Sequence, residues 1–127
     1  MELEAGRSAT IDHVVEVRHC APAVGSGDVE VLSTPVVLAW CESACMAAIA
    51  EEMDPANTTV GMRVRLDHLR ASPVGATVTV TAELSRVEGR RFTFEVSAHQ
   101  GEDEVAHGQV VRVLVDRDRF LDKARQA

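Results

Sequence analysis

One carboxylate stands where carboxylates are costly. Between positions 36 and 50 only Glu42 and Ser43 are not apolar. An unpaired carboxylate in a buried helix costs several kcal/mol or shifts its pKa upward. The residues three and four positions away, Leu38, Ala39, Cys45 and Met46, are all apolar. Glu42 either lies on a stripe facing solvent or is kept there as a base or nucleophile. The apolar neighbours favour the second. Eight residues earlier, Thr34-Pro35 is a helix-start signal, with Thr as cap and Pro at the first helical position. Free amides at such an end concentrate positive potential and can hold the oxygen of a reacting carbonyl. His68, in Asp67-His68-Leu69, closes a strand before the loop Ser72-Pro73-Val74-Gly75. Alone it reads as an ordinary surface imidazole, as do His13, His19, His99 and His107.

Other chemistry has no footing. No glycine-rich phosphate loop, GxSxG elbow or CxxC occurs. No HxH or HxxxH pair exists, so no metal site is expected, and nothing calls for a cofactor. Cys41 and Cys45 lie four apart in an apolar run and read as small buried hydrophobes. An odd count of three cysteines, with Cys20, argues against a secreted disulfide framework.

The elements that must position these residues follow from periodicity. Helix is expected from Thr34 to about Met53, where Asp54-Pro55 stops it. It is apolar all round, and therefore buried. A strand is expected over 11–17, and a short strand or approach over 29–32, after the loop Val24-Gly25-Ser26-Gly27-Asp28. Strands follow over 58–69, 76–84, 92–98 and 105–115, with turns at Glu88-Gly89 and Gln100-Gly101-Glu102-Asp103. Val78, Val80, Ala82 and Leu84 alternate with Thr77, Thr79, Thr81 and Glu83. Phe92, Phe94, Val96 and Ala98 repeat the pattern, which predicts an antiparallel hairpin. Residues 117–127 predict a short exposed helix. The expected class is α+β, a long antiparallel sheet wrapped around one buried central helix, in a single domain over 1–127. The later strands are expected to form a meander. One sheet cannot cover every side of that helix, so a homodimer, or a tetramer built from it, is expected.

Composition narrows the partners. The chain has 127 residues, with 20 acidic and 13 basic side chains and a formal charge of −7. That balance argues against nucleic acid, which rewards dense Lys and Arg. No stretch has the roughly 18 to 20 uncharged apolar residues of a membrane span. The N-terminus has no apolar signal core. A cytoplasmic protein is expected.

The segment around Thr34, Glu42 and His68 resembles the hot-dog-fold thioesterases, most closely the fluoroacetyl-CoA thioesterase type. The similarity covers about 19–123 and includes Thr77-Val78-Thr79-Val80-Thr81-Ala82-Glu83-Leu84 and Val87-Glu88-Gly89-Arg90-Arg91. It implies a hot-dog fold, a dimer, and hydrolysis of an acyl-CoA. It implies catalytic roles for Thr34, Glu42 and His68. It matches Gly61 and Arg112 to further family positions that bind substrate. Backbone amides over 34–37, or that of Gly61, would hold the oxyanion. Arg112 would contact CoA phosphate or the acyl end, or form a salt bridge. Thr34 and Glu42, about 12 Å apart along a helix axis, could share one carbonyl in three ways. Thr34 could leave the regular helix, the residues could reach around it, or a second subunit could contribute. Residues 23–30 lack the family's phenylalanine-bearing lid, so the resemblance implies thioester hydrolysis without fluoroacetate resistance. The rival reading is a non-catalytic hot-dog module that binds acyl-CoA or another small hydrophobic ligand.

Overall fold

The computed structural model describes residues 3–126. Five strands form one antiparallel sheet: β1 (Ser8–Val14), β2 (Asn57–His68), β3 (Thr77–Glu88), β4 (Arg91–Gln100) and β5 (Asp103–Asp116). A four-residue helix, α1 (Ala21–Val24), precedes the long α2 (Thr34–Ile49), and α3 (Arg117–Arg125) ends the described chain. The sheet wraps α2, as its two patterns require.

The strand order is β1-β3-β4-β5-β2. Only β3, β4 and β5 form a meander. β2 does not pair with β3; it crosses to the far edge and pairs with β5, His68 lying opposite Ala106. β1 begins earlier than expected and stops at Val14, and Val17 opens a 3-10 turn instead. Residues 29–32 form no strand, only isolated bridges from Leu32 to Cys20 and from Val31 to Pro73.

The inward faces of β3 and β4 pack on α2. Val78, Val80, Ala82, Leu84, Phe92 and Phe94 are buried, each large one contributing about 1.5–3 kcal/mol. They meet Val37, Trp40, Cys41, Ala44, Cys45 and Ala48 on the helix. Small residues on this face admit the sheet closely. Burial pushes the Cys41 and Cys45 thiols up to about 12, so both stay protonated and act as packing. β2 comes so close to β5 that a Cβ on Gly108 would collide with the Arg65 carbonyl.

One expectation changes here. His13 is no free surface imidazole: it stacks on Trp40, with centroids 4.2 Å apart and planes 5° apart, and His19 meets the same indole edge-on. As expected, the one sheet leaves a side of the apolar helix uncovered. Pro35, Ala39, Ser43, Met46, Ala47 and Ala50 are exposed.

Candidate active site

Ser33, not Thr34, caps α2. The Ser33 hydroxyl accepts the Val36 N–H at 3.3 Å, and Thr34 is already helical with Pro35 behind it. The sequence Ser-Thr-Pro offered two cap residues, and the one before the N1 position took the role. The Thr34 side chain is thereby released. Its Oγ1 lies 2.7 Å from His68 Nδ1, a hydrogen bond that joins the start of α2 to the end of β2. Val36 gives its N–H to Ser33 Oγ and Val37 gives its N–H to the Ser33 carbonyl. Pro35 has none, so the expected row of amides over 34–37 shrinks to that of Thr34.

His68 is half-buried, and its Nε2 is enclosed without a hydrogen-bond partner of ordinary geometry. Burial pushes the imidazole below its usual pKa, with the Arg70 backbone pulling weakly the other way. The pair opens onto a cleft of about 290 Å³ bordered by Ala21, Ser26, Val31 and Arg70. No phenylalanine lines it.

A second cluster lies farther along α2. Arg112, only 7% exposed, donates from Nη1 to Glu42 Oε2 at 2.6 Å. Its Nε donates to Thr59 Oγ1 at 2.9 Å and its Nη2 to the Thr59 carbonyl at 2.8 Å. The Met46 sulfur receives both Arg112 Nη2 and the Thr59 hydroxyl. A buried guanidinium needs a counter-charge and filled donors, and these residues provide both. Arg112 is thus spent on Glu42, Thr59 and Met46; of the roles open to it, it fills the salt bridge and has no free face for a phosphate. Glu42 is neither fully buried nor on a polar stripe. Its side chain stays one-third exposed beside the pair.

Gly61 lies opposite Arg112 in the β2–β5 ladder, at a bulge. A Cβ there would come 2.7 Å from Glu42 Oε2. The glycine therefore leaves room for the carboxylate. Gly61→Ala is expected to displace Glu42 and lower kcat, with little change in the thermal midpoint, because the obstruction is a movable side chain. Steady-state turnover beside a melting curve checks this; unchanged kcat would mean that the carboxylate position is immaterial.

Thr59 and Met46 escaped the sequence reading. A signal for Thr59 existed: a strand's period of two puts it on the same face as Gly61, and their partners are Leu114 and Arg112. The structure brings Thr34 to His68 and Glu42 to Gly61 and Arg112, but not the two clusters together. Thr34–Ile49 is one continuous helix, so Thr34 does not leave it. About 12 Å of axial rise separates the clusters within a chain.

The model of the fluoroacetyl-CoA-specific thioesterase family, FlK, matches residues 15–118. The chain belongs to this family. It is 41% identical over 97 residues to the fluoroacetyl-CoA thioesterase of Streptantibioticus cattleyicolor, covering 76% of this chain and 70% of that one. A solved structure of the fluoroacetyl-CoA thioesterase FlK superposes with a TM-score of 0.93 at 34% identity, over 99% of this chain and 98% of that one. An FlK variant in complex with acetyl-CoA gives 0.90 at 34%, over 98% of each chain. A thioesterase-superfamily protein of Thermus thermophilus, 22% identical, matches at 0.89 over 98% of this chain and 93% of that one, and shares the fold. As an FlK-family member, this chain is a thioester hydrolase with the hot-dog fold.

Proposed function

We propose that the thioester this chain hydrolyses is a small or medium acyl-CoA, and that Thr34, His68 and Glu42 carry out the reaction within a cytoplasmic homodimer. The observation that carries the reading is the 2.7 Å bond between Thr34 and His68, at a helix start where a side chain freed from capping meets a cleft. In this arrangement the Thr34 hydroxyl donates to Nδ1 of a neutral imidazole. His68 then takes a proton from water, directly or through Thr34, and gives it to the departing thiolate. Glu42 attacks the carbonyl, expelling the thiolate and leaving a mixed anhydride that water hydrolyses to the acid, or activates the water that attacks the carbonyl directly. Gly61 and Arg112 are positioning residues that hold the Glu42 carboxylate.

The axial distance between the clusters calls for a second chain. The exposed stripe of α2, from Pro35 to Ala50, is largely apolar, and such faces are buried in assemblies. A two-fold axis crossing it near Leu38, midway between positions 34 and 42, lays two helices antiparallel. Glu42 of one protomer then faces the Thr34–His68 pair of the other. β2 offers an exposed edge with Met62 and Val64, a further surface to pair. Three free, buried cysteines suit a reducing compartment.

Thiol release from fluoroacetyl-, acetyl-, phenylacetyl- and longer acyl-CoAs tests the reading. Turnover of short acyl-CoAs is expected, without strong preference for fluoroacetyl over acetyl, because no aromatic lid covers the cleft. Binding of one thioester with turnover of none would instead indicate a binding module.

A further inference from the structure

A groove of about 580 Å³ lies far from the Thr34 cleft, where β5 runs into α3. Leu114 and Asp116 of β5, Arg90 from the β3–β4 turn, and Arg119, Phe120 and Lys123 of α3 line it. Arg119, Phe120 and Lys123 recur at helical spacing, so α3 turns one stripe toward the groove. Asp118 and Asp122 do not line it. The one carboxylate that does, Asp116, is engaged by the Arg119 N–H at 3.1 Å as the helix cap.

The charge distribution is unexpected for a chain of net −7. Arg7, Arg65, Arg70 and Arg86 each sit beside an acidic partner. Among the described residues, seven cations have no carboxylate within ion-pair distance, and three of them, Arg90, Arg119 and Lys123, line this one groove. Three cations without an ion-pair partner thus line one concavity against the single carboxylate of Asp116, and they include the chain's only lysine. Phe120 stands among them, 46% exposed. Guanidinium and ammonium groups around a hollow recognise phosphate, and an exposed ring beside them offers a face for a stacked base.

We propose that this groove binds a phosphorylated nucleotide, with Arg90, Arg119 and Lys123 on the phosphates and Phe120 against the base. The inference deepens the proposed function and rests on it for one source of ligand, since CoA ends in a phosphorylated adenosine. Leu114 is two residues from Arg112 on β5, so the groove lies toward the Glu42 end of the molecule. A free nucleotide has the same chemistry.

Adenosine 3′,5′-bisphosphate titrated calorimetrically into the whole protein is the test. Wild type is expected to bind, more weakly as salt rises. Arg119→Glu with Lys123→Glu is expected to weaken binding by about ten-fold or more, and Phe120→Leu by less. These side chains are exposed on a terminal helix, and an unchanged melting midpoint confirms that the fold is kept. No binding by wild type at millimolar ligand, or equal binding by the double variant, would overturn the proposal. The source is read from kinetics. A raised KM for acetyl-CoA, with acetyl-pantetheine unaffected, assigns the groove to the substrate's nucleotide. An unchanged KM with nucleotide binding lost assigns it to a separate nucleotide. Failure of the proposed function looks different: neither thioester is turned over, while the bisphosphate still binds.

Discussion

Glu42→Gln is expected to lower kcat by about 10²–10⁴-fold, the range for loss of a general base and a lower bound for a nucleophile. Glutamine is the informative replacement because Glu42 has two duties. It is placed to act on a carbonyl, and it is the counter-charge for buried Arg112. Glu42→Ala leaves that guanidinium with only Thr59 and Met46 as partners. Breaking a buried pair costs about 3–5 kcal/mol. Here the one-third exposure of Glu42 lets water reach the gap, which brings the expected cost to about 1–3 kcal/mol. Glutamine keeps an acceptor and the volume, so Glu42→Gln should remain folded while losing turnover. Urea unfolding beside thiol release separates the duties. A glutamine variant with near-normal kcat would reduce Glu42 to a structural partner of Arg112.

Thr34→Ala is expected to reduce kcat by about 10²-fold or more and to cost about 0.5 kcal/mol of stability, the low end for a solvent-exposed hydrogen bond such as that to His68. Loss of the cap costs more. Ser33 receives the Val36 N–H, so Ser33→Ala should cost about 1 kcal/mol, whereas loss of the Thr34 methyl and hydroxyl removes no cap. If Thr34→Ala destabilised the protein as much as Ser33→Ala, Thr34 would be a structural residue. His68 adds a pH signature. Its folded pKa is lowered, chiefly by burial, so the neutral base is present at pH 7 and above. Activity should fall only on acidification, along a limb below the ordinary imidazole value of about 6.5. His68→Ala should remove that limb together with most of kcat. The same shift makes protonation destabilising. Stability from His68 is complete above its unfolded pKa and is lost as pH falls through the folded one.

Much of this was legible in the chain. The period of two in 76–98 specifies the β3–β4 hairpin, because a one-residue slip would turn Val78, Leu84 and Phe94 to solvent. The apolar run after Thr34 marks α2 equally plainly, and Glu42 is visible because burial makes a carboxylate conspicuous. Topology was less accessible. The pairing of β2 with β5 depends on a crossover that no local pattern encodes, and on Gly108 allowing the backbones to approach. The cap was ambiguous because Ser33 and Thr34 are both good N-cap residues. The role of Arg112 depended on its burial, a tertiary property. Its ion pair joins residues 70 positions apart, beyond any spacing rule. The α3 groove was invisible for a related reason: Arg90 and Lys123 meet only once the β3–β4 turn reaches the end of β5.

The separation of the two clusters leads to a measurement on mixed dimers. Protomers carrying Glu42→Gln and Thr34→Ala, differently tagged and purified as a heterodimer, contain one intact site if each site draws Glu42 from one chain and Thr34 with His68 from the other. The second site carries both defects. Such a heterodimer should release thiol from acetyl-CoA at about half the wild-type rate per dimer, although each parent homodimer is nearly inactive. A heterodimer as inactive as its parents would contradict a site assembled from two chains.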